Sequence, residues 1–298
     1  MNFTKMHGAG NDYIFLDCFR RPPPEQPEEL AKIISHRHYG VGGDGLILIC
    51  PSSVADVRMR IFNADGSEAE MCGNGIRCLA KYVYDHKLVR RKELRVETGR
   101  GVLHVRLEAE GGKAKWAEVD MGEPMFEAEQ IPALFPNVPP HEKIIALSAE
   151  DTLRLDRTDW AEDCGWDRHI TCVSMGNPHL ILFCRHLERV PLAEVGPKLE
   201  HHPAFPRRTN VHFVHVRSPQ EAAMRTWERG SGITLACGTG ACAAGVAAAC
   251  TGLTGRKLLM HVPGGKLEVR WADNNHVFLA GEAMEVFSGR WPNVAPRT

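Results

Sequence analysis

Cys72 and Cys237 open two matching loops, Met71-Cys72-Gly73-Asn74-Gly75 and Ala236-Cys237-Gly238-Thr239-Gly240, and each loop runs into a stretch of helix-forming residues. Glycine on either side of a polar residue lets successive backbone N–H groups converge. A helix start adds donors of its own, so each loop reads as an anion cradle beside a thiol. The same geometry favours the thiolate. An ordinary cysteine, with a pKa of about 8.5, is barely ionised near neutrality, whereas a helix N-terminus stabilises an anion by up to about 2 kcal/mol. At roughly 1.4 kcal/mol per pH unit, that brings a thiol into the range of neutral pH. Two thiols in twin settings suggest one shared reaction.

Other residues converge on the same loops. Glu228-Arg229 begins nine positions before Cys237, as Asn63 stands nine before Cys72. A Glu-Arg pair is usually solvated. At the end of an apolar strand leading toward a cysteine loop, it reads instead as recognition of a zwitterion, with Arg for carboxylate and Glu for ammonium. Asn11, Asn63, Asn177 and Asn210 add neutral donors and acceptors at comparable positions. His179, two residues past Asn177, is either a structural histidine or one that tunes a thiol or orients a substrate. His36, His38, His201 and His202 have no such placement and read as surface residues. Gly40-Val41-Gly42-Gly43-Asp44-Gly45 matches the dinucleotide fingerprint letter for letter, but it follows a helix pattern and enters a strand, the reverse of a dinucleotide-binding turn. A tight turn near a ligand fits it better.

The elements that position these residues occur twice. Cys72 and Cys237 are 165 positions apart, Asn63 and Glu228 also 165, and Asn11 and Asn177 are 166 apart. Three anchors that share one offset to within a residue imply two structurally similar halves. Each half contains apolar strand patterns (Tyr13 to Asp17, Leu46 to Cys50 and Val57 to Phe62; Leu180 to Cys184, Val211 to Val216 and Ala222 to Trp227). The cysteine loop follows, then a helix (Ile76 to His86; Ala241 to Thr251) and a hairpin (Leu94 to Val105; Leu259 to Val269). The small residues of the second helix suit burial on all sides. The fold class expected is α+β: two pseudo-symmetric domains, each a curved mixed β-sheet around a central helix. The boundaries expected are 1–120 plus 282–298 for the domain carrying Cys72 and 121–281 for the domain carrying Cys237. Pro124 to Pro140 reads as an exposed connection, Glu28 to His38 as a helix, and Ala280-Gly281-Glu282 as the start of a segment that returns to the first sheet.

Composition excludes several classes. At 298 residues and 43% hydrophobic the chain can bury a large core, and a net charge of −1 with dispersed Lys and Arg argues against nucleic acid and anionic membrane as partners. No apolar stretch reaches membrane-spanning length, and residues 1–7 lack the apolar centre of a secretion signal, so a cytoplasmic protein is expected. None of the ten cysteines forms a CxxC, so no metal site is expected; Cys78 and Cys242 read as small buried hydrophobes.

Six ordered motifs resemble the diaminopimelate epimerase family: His7-Gly8-Ala9-Gly10-Asn11-Asp12, Phe62-Asn63-Ala64-Asp65-Gly66-Ser67, Met71 to Gly75, Met175-Gly176-Asn177-Pro178-His179, Glu228-Arg229-Gly230 and Ala236 to Cys242. The likeness spans nearly the whole chain. It implies interconversion of LL- and meso-diaminopimelate, on the route to lysine and peptidoglycan, with no cofactor and as a homodimer. By position, Cys72 and Cys237 would be the two bases, with thiol ionisation modulated by His179 and Glu228. Substrate would be held by Asn11, Asn63, Asn177, Asn210, Glu228 and Arg229, and a carboxylate cradled by Gly73, Asn74, Gly238 and Thr239. Many relatives carry Gln where this chain has Gly45, so any contact there would come from backbone or water. Proline racemase-like enzymes share the duplication but typically carry His where this chain has Asn74, and phenazine-biosynthesis isomerases lack the cysteine pair.

In the expected reaction, one thiolate removes the α-proton and the opposite thiol delivers another, while helix N-termini stabilise the growing carbanion. Closure of the two halves would exclude water. A pyridoxal phosphate enzyme would need an anchoring lysine, but Lys81 falls opposite Val246 in the duplication and no further phosphate loop is evident. A thiol redox protein, in which Cys72 and Cys237 pair as a disulfide, and a non-catalytic amino-acid binder are the other classes. Oxidant requirement separates the first, and indifference to cysteine substitution the second.

Overall fold

The computed structural model of the chain describes residues 1–155 and 158–292. By internal contacts the chain divides into two compact units, Met1–Val119 with the segment from Ala280 onward, and Asp120–Leu279.

In the first unit, β1 (Asn2–Gly8) and β2 (Asn11–Asp17) form a hairpin whose turn puts Ala9 and Gly10 at φ of 52° and 80°. α1 (Pro27–Ile34) carries the chain across to β3 (Gly45–Cys50), parallel to β2. β4 (Val57–Asn63) returns antiparallel and pairs with the short β5 (Glu68–Ala69). α2 (Gly73–Asp85) follows, then β6 (Glu93–Thr98), parallel to β4, and the antiparallel β7 (Gly101–Glu110) and β8 (Lys113–Asp120). All six residues of β3 are buried, which explains its unbroken apolar sequence: both faces of the strand are covered. Each fully buried Leu or Ile there contributes on the order of 2–3 kcal/mol.

The second unit opens with β9 (Leu147–Ser148), α3 (Ala149–Thr152) and α4 (Asp159–Cys164). The pattern of the first unit then recurs. β10 (His169–Ser174) pairs antiparallel with β11 (Pro178–Phe183), α5 (Leu192–Glu200) crosses over, and β12 (Asn210–Ser218) lies parallel to β11. β13 (Glu221–Glu228) is antiparallel to β12 and pairs with β14 (Gly232–Thr234); α6 (Gly238–Cys250) leads to β15 (Lys257–Val262), parallel to β13, and then to β16 (Gly265–Trp271). β17 (Val277–Glu282) runs out of this unit, and β18 (Met284–Arg290) lies antiparallel against β1, with Asn2 opposite Arg290.

Register makes the duplication exact to the residue. Tyr13 stands opposite Gly45 across β2 and β3, and His179 stands opposite Asn210 across β11 and β12. Phe15 with Ile47 and Ile181 with His212 continue the correspondence. The helices differ in surface. Each buries ten of its thirteen residues, but α2 is amphipathic and buries bulky Ile76, Leu79 and Val83, whereas the Ala- and Gly-rich sequence of α6 lets neighbouring strands approach closely.

Two expectations need correction. The helices begin at Gly73 and Gly238 rather than three residues later, because the glycine-rich stretches form the first helical turn itself. The proline-rich stretch after residue 124 is no exposed connection: Phe126, Ala128, Ile131, Ala133 and Phe135 are buried and belong to the second unit's core.

Candidate active site

Cys72 is the N-cap of α2, in the extended conformation that a cap adopts (φ −139°, ψ 119°). Its sulfur accepts the Gly75 N–H at 3.4 Å and, as a thiol, donates to Asn11 Oδ1 at 3.4 Å. Asn11 is held in turn: Oδ1 accepts from Asn74 Nδ2 at 3.2 Å, and Nδ2 donates to Asp44 Oδ2 at 2.6 Å. Asp44 also takes the Asp12 N–H and the Arg37 guanidinium. The Tyr13 hydroxyl bonds to the Cys72 sulfur, and burial first, then the charge of that sulfur, drives its pKa well above the ordinary value, so it stays a neutral donor. Beneath the turn lies Arg77, fully buried, donating to Gly73 O at 3.0 Å and Asn74 Oδ1 at 2.8 Å. Gly45 and Asn63 face each other across β3 and β4, where Asn63 Nδ2 donates to Ser67 Oγ. A Cβ at Gly45 would stand 2.1 Å from Phe62 O, so residue 45 offers only backbone.

Cys237 is the N-cap of α6 (φ −114°, ψ 110°) and is 5% exposed. Its sulfur makes no cap bond to the helix backbone and lies 3.7 Å from Thr239 Oγ1. Gly238 and Thr239 form the first turn of α6, as Gly73 and Asn74 form that of α2, where N–H groups point out of the helix end. One ring nitrogen each from His179 and His212 lies with Cys237 Sγ inside a 4.8 Å cluster. Both histidines are fully buried. The chain of bonds runs from Asn177 Oδ1 to His179 Nε2 (3.0 Å), from His179 Nδ1 to His212 Nε2 (2.9 Å), and from His212 Nδ1 to Thr226 Oγ1 (2.9 Å).

Chemistry fixes every proton in that chain. Asn177 Oδ1 only accepts, so His179 donates from Nε2 and accepts at Nδ1; His212 then donates from Nε2 and accepts the Thr226 hydroxyl at Nδ1. Both rings are neutral. Burial lowers His179 well below 6.5, with the charges of His212 and Arg229 adding to the effect, and burial alone lowers His212 to about 3. His212 also lies directly behind the loop, since a Cβ at Gly240 would fall 2.2 Å from its Cε1. At the rim of this unit, Glu228 Oε1 accepts from Thr234 Oγ1 at 2.6 Å, and Arg229 donates from NH1 to Arg207 O. Asn210 ties the two strands together, donating to Pro178 O and accepting the Arg229 N–H.

Comparison with known proteins covers both loops at once. A family model described as diaminopimelate epimerase matches residues 3–127 and 171–286. The chain is a member of the diaminopimelate epimerase family. The diaminopimelate epimerase of Pelotomaculum thermopropionicum is 49% identical over 293 residues, covering 98% of this chain and 99% of that one; that of Desulfitobacterium hafniense is 48% identical over 291, covering 97% of each. Solved structures share the fold at much lower identity. A phenazine biosynthesis protein of the PhzF family from Bacillus anthracis matches with a TM-score of 0.67 at 18% identity, covering 97% of this chain and 98% of that one. A hydroxyproline epimerase from Agrobacterium vitis matches at 0.62 and 14%, covering 97% and 91%. As a diaminopimelate epimerase family member, the chain is an isomerase of the amino-acid epimerase kind, independent of pyridoxal phosphate.

Within this family member, hydrogen bonds join Cys72, Asn11 and Asn74, with Gly73 tied to Asn74 through Arg77, whereas Cys237 bonds Thr239 and its sulfur lies within 4.8 Å of a ring nitrogen of His179, which bonds Asn177. Asn63 Nδ2 donates to Ser67 Oγ, Thr234 Oγ1 donates to Glu228 Oε1, and Arg229 donates from NH1 to Arg207 O and from its backbone N–H to Asn210 Oδ1. Three residues escaped sequence reading: Tyr13, Arg77 and His212. Tyr13 was open to discovery, since it is the duplicate of His179. Arg77 and His212 were not, because a charge inside an apolar helix and a histidine inside a strand read as surface residues.

Proposed function

We propose that the chain interconverts LL- and meso-diaminopimelate by a two-base mechanism in which Cys72 and Cys237 act on opposite faces of one α-carbon. The observation that carries this is the pair of cysteines, each the N-cap of the equivalent helix in a duplicated fold, each beside first-turn N–H groups. Those N–H groups suit a carboxylate whose charge grows as the α-proton leaves. One sulfur enters as thiolate and takes the proton; the other enters as thiol and gives one. The free enzyme then holds about one proton per pair, and reversal exchanges the roles. Asn11, Asn63, Asn177, Asn210, Glu228 and Arg229 bind the polar ends of the substrate, while Gly73, Asn74, Gly238 and Thr239 hold the reacting carboxylate. His179 and Glu228 tune Cys237, and Gly45 contributes backbone.

The reading extends to the protein's setting. In this reading each of the two units carries one base, Cys72 in that of Met1–Val119 and Cys237 in that of Asp120–Leu279. Ten cysteines, all as free thiols, suit a reducing cytoplasm, and no described helix is long and apolar enough to cross a membrane. A homodimer is supported by exposed Met284, Val286 and Phe287 on β18, and light scattering measures it.

Proton NMR of LL-diaminopimelate with the enzyme in D₂O tests the activity. Meso isomer carrying α-deuterium is expected, with activity that survives exhaustive dialysis. Inertness toward diaminopimelate with exchange of the α-proton of proline would reassign the substrate. Restoration of a dialysed enzyme by pyridoxal phosphate would reject the cofactor-free scheme.

A further inference from the structure

We propose that His179, His212 and Cys237 form a binding site for one thiophilic divalent cation of the zinc class, and that its occupation switches off the catalytic thiol. The regulatory half rests on the two-base reading above; the binding half does not. No sequence motif marks this site, for His179 and His212 are 33 residues apart and sit on adjacent parallel strands.

Three features support it. The donor set is two imidazoles and a thiol, the combination that suits zinc. All three are buried, and one ligating atom from each falls within 4.8 Å of the others. Around a tetrahedral ion with bonds of about 2.0–2.3 Å, ligand atoms stand roughly 3.3–3.7 Å apart, so small movements within this cluster suffice. The outer shell is also already built. A metal-bound histidine keeps its orientation by donating its other ring N–H to an oxygen. His179 Nε2 has Asn177 Oδ1 at 3.0 Å, and His212 Nδ1 has Thr226 Oγ1 at 2.9 Å. That leaves His179 Nδ1 and His212 Nε2 turned toward each other, the two atoms assigned here to the ion.

The proton balance is simple. His179 keeps its Nε2 proton. His212 changes tautomer, losing the proton from Nε2 and gaining one at Nδ1, while the Thr226 hydroxyl turns from donor to acceptor. Cys237 releases its thiol proton to solvent, so one proton leaves per ion and the sulfur becomes a metal thiolate. In that form it neither gives nor takes a proton from substrate. The other half of the molecule cannot copy the device, because the positions equivalent to His179 and His212 are Tyr13 and Ile47.

Cobalt(II), titrated into the metal-free full-length protein, reads the site directly. One ion per chain is expected, with thiolate-to-cobalt charge-transfer absorption and tetrahedral d–d bands. The spectrum should persist in Cys72→Ala, disappear in Cys237→Ser and His212→Gln, and require 10–100-fold more cobalt in Thr226→Val. Circular dichroism checks that each variant is folded, and Cys237→Ser and Thr226→Val decide the matter if His212→Gln is not. Zinc should displace cobalt with the same stoichiometry and stop epimerisation, and a chelator should restore it. Absence of the charge-transfer band, or its survival in Cys237→Ser, would overturn the site. An inactive protein that still shows the band would reject the epimerase reading and leave the site standing.

Discussion

The two cysteine loops share a backbone and differ in what surrounds the sulfur. Cys72 accepts a helix N–H and the Tyr13 hydroxyl, and its turn is fastened by a buried guanidinium. Cys237 has no cap bond, is almost wholly buried, and is backed by two histidines that burial holds neutral. Donors and a nearby cation favour a thiolate, whereas burial disfavours it. A fold duplicated in its backbone thus biases its two sulfurs differently. Catalysis in both directions requires that this bias be small enough for substrate to reverse.

The largest effect expected is on catalysis. Cys72→Ala and Cys237→Ala should each lower kcat for epimerisation by about 10³-fold or more, with circular dichroism unchanged. Normal turnover in either variant would break the pairing. Next comes Arg77→Met, which strips Gly73 O and Asn74 Oδ1 of a buried partner. It should cost roughly 2–4 kcal/mol in urea denaturation and slow alkylation of Cys72 while leaving Cys237 unaffected. Equal slowing of both thiols would show that the cation does not distinguish the loops.

A smaller effect compares two equivalent glycines. Alanine at Gly240 must displace His212, a rigid ring bonded at both nitrogens, from 2.2 Å; alanine at Gly75 meets the tip of Ile47 at 2.7 Å. Gly240→Ala should therefore be the more destabilising by about 1–2 kcal/mol in thermal or urea melts. The reverse order would show that Ile47, not His212, is the stiffer support.

The last effect builds gradually, with pH. His179 and His212 have folded pKa values depressed below the ordinary 6.5, so the unfolded chain binds protons that the folded chain refuses. Their contribution to stability is complete above pH 6.5 and is lost as pH falls toward about 3. With chelator present, the slope should approach ~1.4 kcal/mol per pH unit for each histidine, and His212→Gln should flatten it. An unchanged slope would mean that His212 is already protonated in the fold.

Sequence disclosed what repetition and glycine could disclose. The offset of 165 between Cys72 and Cys237 announced the duplication, and the glycines after each cysteine announced a helix start. It misplaced the helix ends because Gly73 and Gly238 have poor helix propensity, which tertiary contacts override. The buried stretch from Phe126 to Phe135 was hidden by its prolines. Arg77 and His212 stayed hidden for a deeper reason: their burial is made tolerable by partners such as Asn74, Thr226 and His179, which lie nearby only once the strands and helix turns have formed.

The most direct test follows each α-proton in the two single-cysteine variants. In D₂O, with LL- and meso-diaminopimelate supplied separately, neither Cys72→Ala nor Cys237→Ala should epimerise. Each should wash deuterium into at most one isomer at the reacting centre, and the two variants should choose different isomers. Washing of the same isomer by both variants, or inversion by either, would contradict a base on each face.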